Sequence, residues 1–116
     1  MSDFTIRDWQ REVHDLAKEK GWYDDLPDAS NPVWIAARLA LVHSELSEAL
    51  EALREHGLRS WVGANGKPEG FGSELADVVI RVLDAAESLG IDLDREMVKK
   101  HAFNVGRPPR HGGKSL

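Results

Sequence analysis

The sequence reads LVHSELSEALEALR at residues 41–54 and ELADVVIRVLD at residues 74–84, and these two stretches set the chain apart. Each stretch contains two carboxylates three residues apart, a spacing that places both on the same side of an α-helix. Four convergent carboxylates would repel one another unless a cation lay between them. Hard oxygen ligands of this kind suit Mg²⁺ or Mn²⁺. The candidate ligands are Glu45 and Glu48 in the first stretch and Glu74 and Asp77 in the second.

In both stretches the acidic pair lies beside an apolar stripe of helical spacing. If the two stripes pack together antiparallel, the two acidic pairs face each other at the edge of a helical bundle. The stripe is predicted to be buried in both helices. It consists of Val42, Leu46, Ala49, Leu50 and Leu53 in the first helix, and of Leu75, Val78, Val79, Val82, Ala86 and Leu89 in the second.

Apolar periodicity and capping residues predict four helices. The predicted bounds are Thr5 to Lys20; Pro32 to about His56, with Asn31 as N-cap; Glu74 to about Leu89, with Ser73 as N-cap; and a fourth helix that Asp92 or Asp94 caps and that ends near Asn104 to Gly106. Residues 57–72 contain five glycines and are predicted to form a flexible loop, which could close over a ligand. No stretch alternates as a strand would. The fold class is therefore all-α, a four-helix bundle in a single domain of residues 1–116, with an irregular basic tail at residues 108–116.

Cysteine content, hydropathy and charge restrict the classes of function that this chain can have. The chain has 116 residues and no cysteine, which excludes disulfides, thiolate zinc sites and cysteine nucleophiles and fits a reducing cytoplasm. It contains no apolar run near the ~20 residues of a membrane span, and its first residues do not resemble a signal peptide. The net charge is −5, yet residues 95–116 carry six Lys or Arg against one acid. An acidic body with a basic end argues against a nucleic-acid binder and fits a small polyanion held between metal ions and basic side chains.

The fourth helix places a cation, an amide and a guanidinium on one face, at Lys100, Asn104 and Arg107. Such a row suits phosphate and sugar oxygens, although Lys and Arg are also common at helix C-termini. Arg81 lies near the second acidic pair, where it can neutralise Asp77 or Asp84 or meet substrate, and Asp84 can support the metal or a ligand.

Four tryptophans are many for this length. Trp22 and Trp61, which lie in or beside loops, are the candidates for stacking on a nucleobase. Trp9 and Trp34 are predicted to belong to the core.

A ferritin-like di-iron site is a competing interpretation of the acidic motifs. That site requires Glu-x-x-His on two helices, and no glutamate here has a histidine three residues later. His43, directly before the first acidic motif, is more typical of a surface or supporting group than of a ligand.

Taken in order, the motifs resemble the all-α nucleotide pyrophosphohydrolases, the superfamily of MazG, the dimeric dUTPases, the dCTP pyrophosphatases and phosphoribosyl-ATP pyrophosphohydrolase. Glu-x-x-Glu, a spacer of 25 residues, Glu-x-x-Asp and a later Lys-x-x-x-Asn-x-x-Arg-Pro are similar to the short, single-domain MazG-like proteins. The ending RHGGK at residues 110–114 also fits that group. The resemblance covers roughly residues 34–114.

The resemblance implies Mg²⁺-dependent cleavage, with Mn²⁺ as an alternative, between the α- and β-phosphates of a nucleoside triphosphate. It implies that Glu45, Glu48, Glu74 and Asp77 bind the metal, and that Lys100, Asn104 and Arg107 contact phosphate or sugar. It also implies a homodimer or a dimer of dimers. In this scheme Glu48 orients or deprotonates the attacking water, and Lys100 and Arg107 stabilise charge on the phosphates.

Two other functions stay open from the sequence. One is a non-catalytic helical module that binds nucleotide or dimerises. The other is phosphoribosyl-ATP pyrophosphohydrolase activity, which the tail at residues 107–114 favours less.

Overall fold

The computed structural model describes residues 4–26 and 28–109 and contains four α-helices, which confirms the predicted all-α class. In chain order these are α1 (Ile6–Glu19), α2 (Pro32–His56), α3 (Phe71–Ser88) and α4 (Leu93–Val105). Residues 110–116, most of the predicted basic tail, lie outside the described residues.

Local capping chemistry explains where the helices begin. At α1 the Thr5 hydroxyl accepts from the Asp8 N–H at 3.1 Å, and the Asp8 carboxylate accepts from the Thr5 N–H at 3.0 Å. Asn31 caps α2 through the Val33 N–H at 2.9 Å, with Pro32 in the first turn. Asp92 caps α4.

The glycine-rich segment between α2 and α3 is a β-hairpin, so the prediction of a flexible loop without strands was wrong. β1 (Ser60–Val62) and β2 (Pro68–Gly70) pair antiparallel around a 3₁₀ turn at Ala64–Gly66. Asn65 and Gly66 adopt positive φ angles of 60° and 76°, which reverse the chain tightly. Strands of three residues are too short to display alternation in the sequence.

The hairpin also changes the start of α3, which begins at Phe71 and not at Glu74. Gly70 occupies the N-cap with a φ of 113°, and Ser73 lies inside the first turn. The Ser73 hydroxyl donates to the backbone oxygen of Pro68 at 3.1 Å instead of capping the helix. This bond ties β2 to α3.

Helix α3 is central, with α1, α2 and the hairpin packed against it, while α4 packs against α1. A fully buried Gln10 links α1 to α4, because its amide donates to the Ile91 oxygen and accepts from the Leu93 N–H. Since the principal partner of α4 is α1, the four helices do not enclose one common core within a single chain.

The predicted apolar stripe is therefore only partly buried. Ala49 of α2 and Ala86 of α3 are buried, as predicted. Leu50 is 55% exposed and Val79 is 53% exposed, although both were predicted to be buried in the core. The stripe faces outward because no element of the described chain covers that side of α2 and α3.

Candidate metal centre

The acidic residues of α2 and α3 meet where the two helices lie side by side. Glu45 and Glu48 of α2 and Glu74 of α3 each place one carboxylate oxygen within 4.8 Å of the others. Their spacing of three residues sets both α2 carboxylates toward α3. The structure thus brings together three of the four predicted ligands.

We call this group the acidic cluster (Glu45, Glu48 and Glu74). Within it, Glu74 has the least favourable surroundings. Its Oε2 atom is buried and has no hydrogen-bond partner in the part of the chain that the structure describes. Burial raises the pKa of Glu74, and repulsion from Asp77, Glu48 and Glu45 raises the pKa further. A buried oxygen without a donor is costly. Glu74 forms no ion pair with any described residue, although the charge of Lys67 partly opposes the rise in its pKa.

Asp77, the fourth predicted ligand, is not part of the acidic cluster. It lies one turn further along α3, and burial followed by repulsion from Glu45 raises its pKa, while Arg81 and Lys67 act in the opposite direction. The side chain is close enough to feel the cluster electrostatically. It also lines both cavities that flank this end of α3.

Arg81 donates from Nε to the Glu45 Oε1 atom at 2.7 Å, and the Glu45 side chain is only 12% exposed. The Arg81 side chain therefore bonds to Glu45, and its charge also opposes the rise in the pKa of Asp77, one of its two predicted partners. The Arg81 guanidinium also lies 5.1 Å from the centre of the Trp22 ring. It joins the acidic cluster to the predicted stacking residue.

Two cavities border the acidic residues and share Asp77 and Ile80. The first, about 340 Å³, lies between α1 and α3 and is open beside Trp22. The second, about 690 Å³, lies between the hairpin and α3 and contains Trp61 in its wall. Trp22 and Trp61, the predicted stacking residues, therefore each line a cavity that Asp77 also lines, and the two cavities are separate. The first cavity is lined by Val13, Leu16, Ala17, Lys20, Trp22, Glu45, Asp77, Ile80, Arg81 and Asp84.

Asp84 lies at the wall of the first cavity, and side chains of the protein already contact both oxygens of its carboxylate. His14 Nδ1 lies 2.7 Å from Asp84 Oδ1, and the Tyr23 hydroxyl donates to Oδ2 at 2.8 Å. Arg38 forms an ion pair with the same Oδ2 atom. Burial and then the bond to Asp84 raise the pKa of Tyr23 to about 12.

Sequence reasoning missed His14, Tyr23 and Arg38. They come from three segments, 46 to 70 residues from Asp84, so no local spacing could have revealed them. The Arg38 guanidinium lies 4.8 Å from the Tyr23 ring centre, which adds a cation–π contact to the network. We call these four residues the Asp84 network.

The predicted phosphate contacts of α4 are not brought to the acidic cluster within this chain. Lys100, Asn104 and Arg107 are exposed, and neither cavity is lined by a described residue of α4. Arg107 lies 5.9 Å from the ring centre of Phe103 on its own helix.

The remaining predictions concern His43, Trp9 and Trp34. His43 is exposed and is not in the acidic cluster. Trp9 and Trp34 are half-buried, and the indole N–H of Trp34 is buried without a partner among residues 4–26 and 28–109.

No helix within residues 4–26 and 28–109 has both the length and the apolar character needed to cross a lipid bilayer. Comparison with known proteins identified no matching family model, no matching curated protein and no matching solved structure.

Proposed function

We propose that this protein is a Mg²⁺-dependent nucleoside triphosphate pyrophosphohydrolase of the MazG-like type. The observation that carries the proposal is the acidic cluster, in which three carboxylates converge and the buried Glu74 Oε2 has no donor. A site of this kind is stabilised by a cation and is poorly suited to any neutral ligand.

The donor set fits a hard divalent cation. Glu45, Glu48 and Glu74 would hold it, with Asp77 adjacent, and all four offer the carboxylate oxygens that Mg²⁺ and Mn²⁺ prefer. When bound, the ion neutralises phosphate charge and lowers the pKa of water.

Glu48 is the candidate base because it is the exposed member of the acidic cluster and can be reached by water. The water oxygen attacks the α-phosphorus, and a Glu48 carboxylate oxygen takes the proton. The bond between the α-phosphorus and the bridging oxygen breaks, and that oxygen leaves with the β-phosphate. The products are a nucleoside monophosphate and pyrophosphate.

The first cavity supports binding of the base. Its apolar wall from α1 and the half-exposed Trp22 ring offer a surface for a flat heterocycle. Arg81, held between Glu45 and Trp22, fixes the position of the ring relative to the acidic cluster. A ligand in this cavity therefore lies directly beside the carboxylates.

We further propose that the active form is a homodimer or a dimer of dimers in the cytoplasm. The outward-facing apolar stripe, with Leu50 and Val79 more than half exposed, supports a second copy as its cover. A second copy could also bring Lys100, Asn104 and Arg107 to the acidic cluster, where Lys100 would stabilise charge on the phosphates. Light scattering together with activity at dilution tests this part.

The decisive experiment is a screen of nucleoside triphosphates, normal and modified and including phosphoribosyl-ATP, with Mg²⁺ and Mn²⁺ and with pyrophosphate release as the readout. We expect turnover by the wild type and loss of turnover in Glu48→Gln and Asp77→Asn. The matched control is Glu51→Gln, because Glu51 lies on α2 but is exposed and faces Arg54. Unchanged turnover in Glu48→Gln and Asp77→Asn would remove this assignment, and binding without turnover across the panel would favour the non-catalytic module.

A further inference from the structure

The cavity under the hairpin offers a second binding surface at the acidic end of α3. Its volume is about 690 Å³, and Asp77 and Ile80 form the boundary that it shares with the first cavity. The hairpin side contributes Lys67 and Trp61, and α3 contributes Ser73. A ligand that spans the acidic residues therefore has room on both sides of Asp77.

Lys67 is the basic residue that the hairpin contributes to this cavity. Its backbone is fixed on both sides, because its N–H donates to the Ala64 oxygen at 3.2 Å and its oxygen accepts from the Gly63 N–H at 2.7 Å. Its ammonium group forms no ion pair with any residue that the structure describes. Its charge opposes the rise in the pKa values of Glu74 and Asp77, which places it within electrostatic range of both.

The hairpin is held firmly against α3, so the position of Lys67 is set by the fold. Ser60 pairs with Gly70, and a side chain at Gly70 would collide with the backbone oxygen of Arg59. The Ser73 hydroxyl adds a bond from α3 to Pro68, the residue after Lys67. The base of the Lys67 side chain is therefore preorganised beside the acidic residues.

The two cavities differ in the chemistry that they offer. The first contains apolar side chains of α1, the Trp22 ring and Lys20 from the C-terminal end of α1, and its Arg81 is already bound to Glu45. The second contains Lys67 without an ion partner, although Glu69 also lines it. The Glu69 carboxylate lies over the Cα atom of Gly63.

We propose that the hairpin cavity binds the pyrophosphate half of the substrate, with Lys67 as its counter-charge, while the nucleoside half occupies the first cavity. This inference rests on the proposed function. It assigns the two products of cleavage to opposite sides of Asp77. Lys67 is then a substrate-binding residue for the leaving group, in a segment that the acidic motifs do not include.

The test uses the full chain and measures the binding of pyrophosphate and of nucleoside monophosphate separately, by calorimetry with excess Mg²⁺. We expect Lys67→Met to weaken pyrophosphate binding about tenfold or more, as loss of a charge-assisted contact does. Monophosphate binding should change less than about twofold. Lys67→Arg should retain most of the pyrophosphate affinity, because it keeps the charge.

Lys99→Met is the control, since Lys99 is an exposed lysine on α4 that faces Glu96. It should leave both affinities unchanged, and circular dichroism should show that each variant keeps its helices. Equal pyrophosphate affinity in the wild type and Lys67→Met would overturn the inference, as would an equal loss of both affinities.

Failure of the inference and failure of the proposed function give different results. If the wild type releases pyrophosphate from a triphosphate and Lys67→Met binds pyrophosphate normally, the function stands and only the role of Lys67 is wrong. If the wild type neither turns over any triphosphate nor binds pyrophosphate with Mg²⁺, both are wrong.

Discussion

The two acidic regions of α3, at Glu74 and at Asp84, lie nearly three turns apart and differ in what surrounds them. Asp84 is buried, yet His14, Tyr23 and Arg38 all contact its carboxylate. Glu74 has a buried oxygen that accepts no hydrogen bond from any described residue, and it lies beside two further carboxylates. A buried charge is tolerated when donors surround it and is costly when they do not. The comparison separates a carboxylate that holds the helices together from carboxylates that require a ligand.

The largest effect is expected from breaking the Asp84 network. Asp84→Ala should lower the free energy of unfolding by about 3–5 kcal/mol, because it leaves the Arg38 charge without its buried partner. Urea denaturation measures this loss. Asp15→Ala is the control, since Asp15 is an exposed residue of α1, and it should change stability by less than about 0.5 kcal/mol. A loss at Asp84 as small as that of the control would mean that the network does not stabilise the fold.

Neutralising Glu74 in the acidic cluster should reduce turnover without lowering the free energy of unfolding. Glu74→Gln should reduce pyrophosphate release about 100-fold or more, because a ligand of the proposed metal is lost. Its unfolding free energy in EDTA should not fall, since the change removes an uncompensated charge. A Glu74→Gln variant that stays active but has a lower free energy of unfolding would mean that Glu74 stabilises the fold and does not hold the metal.

Metal binding provides the next contrast. At a Mg²⁺ concentration 100 times its dissociation constant, the wild type should gain about 2.7 kcal/mol of stability. Glu74→Gln should gain much less, whereas Asp84→Asn should keep the gain although it starts from a lower stability. Thermal unfolding with and without Mg²⁺ measures all three. Equal gains in the wild type and Glu74→Gln would place the ion elsewhere.

The smallest effect concerns pH in the absence of metal. The pKa values of Glu74 and Asp77 are raised above their ordinary values of 4.5 and 3.8, so the folded chain binds protons more readily than the unfolded chain. Their contribution to stability is fully present below those ordinary values and is lost as pH rises through the raised ones.

In EDTA, the stability of the wild type relative to a Glu74→Gln, Asp77→Asn double variant should therefore fall as pH rises above about 4. Saturating Mg²⁺ should abolish this fall, because the ion favours the ionised carboxylates. Urea midpoints across a pH series measure the difference. A relative stability that rises with pH in EDTA would contradict the raised pKa values.

Helix positions could be predicted because their signals are local. Asn31 and Pro32 start α2, and Gly57, with a φ of 63°, ends it where the sequence predicts. The hairpin was missed although it has a local signal, because Asn65-Gly66 is a dipeptide typical of tight turns with positive φ angles. Its strands are three residues long, so no alternation accompanied that signal.

The carboxylates of the candidate site could be predicted from the sequence, but the residues that bond to them could not. Helical spacing alone placed Glu45 beside Glu48, and the packing of α2 on α3 added Glu74. The sequence allowed Arg81 to neutralise an acid of its own helix or to meet substrate, and in the structure it bonds to Glu45, 36 residues away. Which acid an arginine reaches is decided by the approach of two helices, and one helix carries no information about that approach.

The sequence alone specifies four helices, the N-caps of α2 and α4, and two carboxylate pairs that each project from one helix face, because these properties depend on residues within a few positions of one another. The tertiary structure decided that Asp84 is surrounded by donors while Glu74 is not, that Asp77 lies between two cavities, and that Lys67 stands across from it on a hairpin. These outcomes depend on contacts between segments distant in the chain, where burial and the position of partner charges set the energy of each carboxylate.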